Sequence, residues 1–205
     1  FREHAYGRDD FVMGLNNAKE NVYNFYKDNK DAPIIHDNLK DMKDVLSYSL
    51  QYQKGAWVLH MLRNYIGEDA FRQGIRNYYK KYFNLNTTTD QFKYEMEKVS
   101  NVDLDKFFDQ WLYKGGMLII DSDWKYNEKN SEIEISMDQV QDDGYLFDMP
   151  IEIMLTFENK SSKIESIQLD KKTKKFIISS ENKPKEIKID PSVKLLARWS
   201  INELK

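Results

Sequence analysis

The sequence contains no cysteine among its 205 residues, which excludes disulfides, thiolate zinc sites and thiol nucleophiles. It also has no apolar run approaching the ~20 residues that a transmembrane helix needs. The sequence also lacks a large excess of either charge sign. Its 31 basic and 34 acidic residues give a formal net charge of −3. That balance argues against nucleic acid as a partner, since no basic excess is available to neutralise phosphates.

Motifs of common catalytic sites are also missing. The three histidines, His4, His36 and His60, lie far apart, and none belongs to an H-E-x-x-H motif. The sequence has neither a G-x-S-x-G nucleophile elbow nor a phosphate-binding P-loop. Since zinc normally takes three or four His, Cys or carboxylate ligands, a complete metal site within this chain is not expected. Among the histidines, His36 is the best candidate to face a pocket, and His60 is predicted to be packed.

Apolar residues recur at helical spacing through the first half of the chain. Stripes of this kind occur within residues 9–26, 52–66, 71–82, 88–99 and 103–112. Gly67 is placed to end the second stripe, and Thr88 with Gln91 forms a predicted capping box at the start of the fourth. Residues 28–49 contain Pro33 and no sustained period, so they predict a long loop, which inside a compact domain is often functional.

After Gly116 the period of the apolar residues changes from 3.6 to 2, which is typical of strands. Alternation is clearest within residues 133–137, 151–155, 163–169 and 176–178, with turn signals about every 8–12 residues. This pattern predicts an α+β chain in which a helical bundle is followed by a small antiparallel β-sandwich. The predicted domain boundaries are 1–115 and 116–205.

One helical segment differs from an ordinary core helix. Tyr52 and Lys54 open it directly after the long loop, and Gly55 lies in its first turn. Glycine there costs on the order of 1 kcal/mol relative to alanine, which suggests that another group approaches the backbone closely. The alternative is an ordinary helix start with Tyr52 packed against a neighbour.

The segment Tyr52-Gln53-Lys54-Gly55-Ala56, followed by an apolar helix, resembles the tyrosine motif of the aminopeptidase N family of zinc peptidases, the gluzincins. Residues 66–78 and 87–92 resemble further stretches of that family, and residues 107–112 resemble the end of its catalytic domain. The second half is similar to the small β domain that follows. The resemblance runs from about Tyr6 to Pro191 and implies that the helical half is the C-terminal part of a thermolysin-like catalytic domain.

This resemblance implies a zinc metallo-aminopeptidase that hydrolyses N-terminal residues from peptides. Tyr52 would be its catalytic residue in this chain, with a hydroxyl that donates a hydrogen bond to the tetrahedral oxyanion. Lys54 and Gly55 would position the start of the helix. Together with His36 they are the further candidates for contact with substrate.

The departures from the family pattern are the absence of the H-E-x-x-H motif, of its downstream glutamate ligand and of the G-x-M-E-N loop. Gln53 also stands where the family often has glutamate. Because the chain opens on Phe1 without a methionine, we expect the missing elements to precede it in a longer parent protein. Zinc is then expected in the parent and not in this chain, which should be inactive alone.

The implied partner is a peptide substrate, bound mainly through the N-terminal half of the parent. An apolar face of the helical half would be left for association with other polypeptide. A non-catalytic interaction module, or a pseudoenzyme of the same fold, is the alternative interpretation. An H-E-x-x-H motif upstream would favour the peptidase, and degenerate residues there would favour the pseudoenzyme.

Overall fold

The computed structural model describes residues 2–36, 47–141 and 144–204. Its two compact units are Phe1–Gly115, which is helical, and Gly116–Lys205, which is built of strands. The predicted α+β class is therefore confirmed. Part of the predicted long loop, residues 37–46, lies outside the described residues.

The first unit is built of helices. Its α-helices are α1 (Arg2–Tyr6), α2 (Arg8–Asp28), α3 (Gly55–Ile66), α4 (Glu68–Tyr82), α5 (Thr89–Ser100) and α6 (Asp105–Phe108). Among the described residues, two π-helical turns accompany them: Tyr48–Lys54 runs directly into α3, and Asp109–Tyr113 continues α6. Within the described parts of the chain, no helix is both long and apolar enough to cross a membrane.

The core of this unit is made by the apolar stripes that the sequence predicts. Its members with no exposed surface include Val22, Trp57, Leu62, Met96, Leu104 and Trp111. The Trp57 indole also donates a hydrogen bond of 2.9 Å to the Leu15 carbonyl oxygen, which satisfies its buried N–H. This contact joins α3 to α2.

The ends of two helices follow the predicted signals. Gly67 has a φ of 88°, a left-handed conformation that favours glycine, and it separates α3 from α4. At the start of α5 the Gln91 backbone N–H donates to Thr88 Oγ1 at 3.3 Å, and the Thr88 backbone N–H donates to Gln91 Oε1 at 2.9 Å. The predicted capping box is confirmed.

The strands described in the second unit form two sheets. Its strands are β1 (Leu118–Asn127), β2 (Glu132–Gln139), β3 (Met149–Thr156), β4 (Ser162–Leu169), β5 (Thr173–Ser179), β6 (Glu186–Ile189), β7 (Ala197–Trp199) and β8 (Asn202–Glu203). The first sheet has the order β5-β2-β1-β7, with β8 also paired to β1, and the second has the order β4-β3-β6. Burial alternates along β2 and β3, so one face of each sheet forms core.

Strand direction differs in part from the antiparallel expectation. The second sheet is antiparallel, but β7 and β8 both run parallel to β1, so the first sheet is mixed. A turn at Asp190 leads from β6 in one sheet towards β7 in the other: its carboxylate accepts from the backbone N–H groups of Lys194 at 2.8 Å and Leu195 at 3.0 Å. Such a connection lets the chain change sheets within a few residues, without the hairpin that antiparallel neighbours use.

Replacing Gly115 with alanine is expected to destabilise the protein by about 1–3 kcal/mol, as overpacking does. A Cβ there would lie 2.4 Å from the Asp31 carbonyl carbon and 2.8 Å from the Ala32 nitrogen. Both are backbone atoms, so no side-chain rotation relieves the clash. Unfolding in denaturant measures the change.

The matched control is Gly55→Ala. Gly55 has helical dihedrals, and a Cβ there meets only the Leu50 carbonyl oxygen, at 3.7 Å, among the described residues. Alanine should therefore raise the free energy of unfolding by about 0.5–1 kcal/mol. Equal stability changes in the two variants would contradict the close approach of Gly115 to the 31–32 backbone.

Candidate active site

Tyr52 lies on the π-helical turn Tyr48–Lys54. At the start of this turn the Leu50 backbone N–H donates to Ser47 Oγ at 3.3 Å, and the Ser47 backbone N–H donates to Gln51 Oε1 at 2.9 Å. These reciprocal bonds cap the turn in the manner of a capping box. Turns of π-helix are rare and occur frequently at functional sites.

The Tyr52 side chain is on the surface of the helical unit. The residue is 60% exposed, and its ring stacks on that of Tyr48 with centroids 6.3 Å apart. Its hydroxyl makes no hydrogen bond to any described residue. A tyrosine hydroxyl inside a core would normally have such a partner. Tyr52 is therefore not a core residue, and its contact with the Tyr48 ring is compatible with the alternative of an ordinary helix start packed against a neighbour.

A cavity of about 700 Å³ lies beside this tyrosine. Tyr52, Gly55 and His36 are all among its lining residues, so the structure brings together three of the four residues singled out in the sequence. Most of the remaining lining is apolar, including Ile34, Ile35, Leu59, Phe92, Phe108 and Leu112.

The segment that carries His36 is held against the rest of the unit by its backbone. The Ile35 N–H donates to the Leu112 carbonyl oxygen at 2.9 Å, and Gln51 Nε2 donates to the Ile34 carbonyl oxygen at 3.3 Å. The segment after α2 is thereby joined both to the Tyr52 turn and to the turn that follows α6. This is why residues distant in sequence line one cavity.

Lys54 is placed differently from the other three candidates. It has no exposed surface and is not a lining residue of the cavity. Its ammonium donates to the Tyr26 hydroxyl at 2.8 Å and to the Lys114 carbonyl oxygen at 3.3 Å. The structure therefore places Lys54 inside the helical unit, where it supports the turn and is shielded from any ligand in the cavity.

Two groups in the cavity wall were not singled out as site residues by the sequence. Tyr78 and Thr87 both line the cavity, and the Tyr78 hydroxyl donates to Thr87 Oγ1 at 2.6 Å. In the sequence Tyr78 belongs to an amphipathic stripe that also fits core packing. The one local signal for a site here is the adjacent capping box of Thr88. It predicts a turn at Thr87–Thr89 but does not indicate that Tyr78 and Thr87 face the cavity.

The wall of the cavity carries little charge. Among its described lining residues there is no Asp, Glu, Lys or Arg, and His36 is the one imidazole. A phenol hydroxyl can donate a hydrogen bond to an oxygen that carries negative charge, and apolar side chains offer contacts to apolar groups. The arrangement can therefore stabilise negative charge through the Tyr52 hydroxyl and can bind apolar groups.

Within the described part of the helical unit, the groups with shifted pKa values lie in ion pairs away from the cavity. The hydrogen bond from Lys81 to Glu95 raises the pKa of the Lys81 ammonium, and the hydrogen bond from Arg63 lowers the pKa of the Glu3 carboxyl. Glu95 is almost fully buried and joins α5 to α4, whereas Glu3 joins α1 to α3. These pairs hold helices together and take no part in the cavity.

Among the described residues, one group of three side chains is close enough to share a metal ion: Glu97, Asp103 and Asp105. Glu97 Oε1 already accepts from the Leu104 backbone N–H at 3.0 Å, and Asp105 is paired with Lys93. No histidine belongs to this group and none of it lines the cavity. The described residues therefore do not fit a zinc centre at the candidate site.

The fold of the chain has a counterpart among solved structures. The chain is similar in structure to aminopeptidase A of Legionella pneumophila, solved in complex with aspartic acid, with a TM-score of 0.65 at 16% sequence identity. That likeness covers 79% of this chain and 19% of the other, and it shows a shared fold.

The family follows from sequence. Residues 5–111 match the peptidase family M1 domain, so the chain belongs to this family, and the resemblance inferred from the Tyr52 motif is confirmed. The chain is 30% identical over 107 residues to aminopeptidase N of Escherichia coli K12, which covers 52% of this chain and 12% of the relative. It is 34% identical over 134 residues to glutamyl aminopeptidase of Bos taurus, which covers 62% and 13%.

A third relative extends further along the chain. The tricorn protease-interacting factor F2 of Thermoplasma volcanium is 25% identical over 143 residues, which covers 69% of this chain and 18% of that protein. The chain thus spans less than a fifth of the length of each of these curated relatives.

Residues 1–205 prepared by themselves are expected to retain less than one zinc per chain, because the described residues offer no ligand set that suits zinc. Elemental analysis after dialysis measures the metal content. Glu97→Gln is the control for residual binding at the carboxylate group. Retention of one zinc per chain by both proteins would contradict the expectation.

Proposed function

We propose that this chain is part of a zinc metallo-aminopeptidase of family M1 that hydrolyses N-terminal residues from peptides. In this proposal the Tyr52 hydroxyl donates a hydrogen bond to the oxyanion of the tetrahedral intermediate. One observation carries the proposal: the tyrosine of the family motif is exposed at a cavity of about 700 Å³, with a hydroxyl free of hydrogen bonds to the described residues. The names of the relatives support the reaction class.

Tyrosine suits this role chemically. The phenol of a tyrosine carries an O–H donor at the end of a rigid ring. A rigid donor aimed at developing charge stabilises the transition state more than the ground state, and that difference raises turnover. The weakly charged cavity wall adds to the effect, since no described lysine, arginine or carboxylate competes for the phenol there.

Zinc would supply Lewis-acid chemistry in the parent protein, but the described residues of this chain do not fit its ligand set. We therefore assign its binding, and most of the peptide contact, to polypeptide outside these residues. Ile34, Ile35 and Phe92, with the other apolar lining side chains, offer a surface for that polypeptide or for apolar parts of the substrate. On this proposal residues 1–205 alone have no peptidase activity.

Replacing Tyr52 with phenylalanine in the intact protein is expected to lower kcat by ~10²–10³, the typical cost of removing one oxyanion donor. KM should change little, because the hydroxyl acts mainly in the transition state. Steady-state kinetics on aminoacyl p-nitroanilides measures both constants.

Tyr48→Phe is the matched control. Tyr48 lies on the same π-helical turn, is similarly exposed and stacks on Tyr52, but it does not line the cavity. Its loss of a hydroxyl should leave kcat unchanged. Near-normal turnover in Tyr52→Phe would end the assignment, and an intact protein that binds peptides without hydrolysing them would support the interaction-module alternative.

A further inference from the structure

Lys54 is a buried lysine two residues beyond Tyr52. It has no exposed surface, although lysine is among the residue types least often buried completely. Its ammonium lies where three segments meet: the π-helical turn that carries Tyr52, the end of α2 at Tyr26, and the end of the second π-helical turn near Lys114. The oxyanion role proposed for Tyr52 does not use this charge directly.

The ammonium begins a chain of hydrogen bonds that leads to the cavity. It donates to the Tyr26 hydroxyl at 2.8 Å and to the Lys114 carbonyl oxygen at 3.3 Å, and the Tyr26 hydroxyl in turn donates to the Ala32 carbonyl oxygen at 3.0 Å. The ammonium also lies 5.0 Å from the centroid of the Tyr26 ring. Ala32 belongs to the segment that supplies Ile34, Ile35 and His36 to the cavity wall.

The residue on the other side of Tyr52 reaches the same segment, since Gln51 Nε2 donates to the Ile34 carbonyl oxygen at 3.3 Å. Polar contacts of Gln51 and Lys54 therefore fix the backbone of the turn on both sides of Tyr52. The Tyr52 hydroxyl has no described partner of its own, so the direction of its ring depends on that backbone and on the stacked Tyr48 ring.

We infer that Lys54 is a positioning residue for Tyr52. Its buried ammonium ties the π-helical turn to Tyr26 and to the backbone at Lys114, and so holds the phenol at the cavity with the geometry that donation to an oxyanion requires. The inference rests on the proposed function, because a positioning residue has no meaning without the group that it positions. A displacement of about 1 Å at a reacting group can cost ~10²-fold in rate, so the effect should be measurable.

The alternative is that Lys54 contributes only to stability. The two roles differ in a double-mutant cycle. If Lys54 acts through the Tyr52 hydroxyl, replacing Lys54 should lower kcat only in the protein that still has this hydroxyl. If it merely stabilises the fold, its loss should lower the thermal midpoint and leave kcat of the folded protein unchanged; if it contributes to catalysis independently of Tyr52, its effect on kcat should multiply with that of Tyr52→Phe.

The experiment uses the intact protein with Lys54→Met, Tyr52→Phe and the double variant, assayed on an aminoacyl p-nitroanilide. We expect Lys54→Met to lower kcat by ~10–10²-fold with little change in KM. In the Tyr52→Phe background the same substitution should lower kcat less than about twofold further. Lys54→Arg, which keeps a buried cation, should recover part of the loss.

Glu95→Gln is the control for lost stability. It removes the charge from another buried polar residue of the helical unit, whose partner Lys81 is 2.6 Å away, and it lies outside the cavity wall. This variant should lower the thermal midpoint and leave kcat of the folded protein unchanged. A loss of kcat in Glu95→Gln equal to that in Lys54→Met would overturn the inference.

Tyr26→Phe provides a second variant if Lys54→Met fails to fold. It removes the hydroxyl that connects Lys54 to Ala32 and should lower kcat by a smaller factor, again only while Tyr52 is present. Multiplicative losses, or unchanged kcat in the folded variants, would overturn the inference while leaving the role of Tyr52 intact. Normal turnover in Tyr52→Phe itself would instead end the proposed function, and the inference with it.

Discussion

The hydrogen bonds of the buried Lys54 ammonium connect the parts of the helical unit on which the candidate site depends. Burial of a charge is costly unless hydrogen bonds replace the lost water, and the Tyr26 hydroxyl and the Lys114 carbonyl oxygen provide such bonds here. Because these partners come from distant parts of the chain, the π-helical turn cannot move independently of α2 or of the segment after α6. The exposed Tyr52 ring is thus attached to a backbone that the buried Lys54 contacts hold in place.

The segment after α2 is constrained in a complementary way. Gly115 approaches the backbone at residues 31–32 so closely that no side chain fits, and the Ile35 N–H is bonded to the Leu112 carbonyl oxygen. Residues 31–35 are therefore held at one end by close packing against Gly115 and at the other end by the hydrogen bond of Ile35. As a result, the wall of the cavity is built on ordered backbone, although no helix or strand passes through residues 32–36.

Local patterns predicted much of this structure. The capping box of Thr88, the stop at Gly67 and the four alternating strand segments were all visible because each depends on residues close in sequence. The central strand β1 was missed, since its outward positions carry Asp121 and Asp123 and its inward positions include Ser122, which weakens the apolar alternation. Parallel pairing of β7 and β8 with β1 was missed because it depends on contacts between strands far apart in sequence.

For the candidate site, too, the residues could be identified from the local sequence, but their positions relative to the cavity could not. Family resemblance identified Tyr52 and drew attention to Lys54 and Gly55, but no local pattern distinguishes a side chain at the cavity from one beneath it. A helical turn places neighbouring residues on different faces, and the π-helical geometry of Tyr48–Lys54 changes which faces these are. Tyr52 and Gly55 consequently line the cavity, whereas Lys54 between them points into the unit. In the proposed function the motif thus combines an exposed donor with its internal support, and both lie on or next to the wider turn that runs into α3.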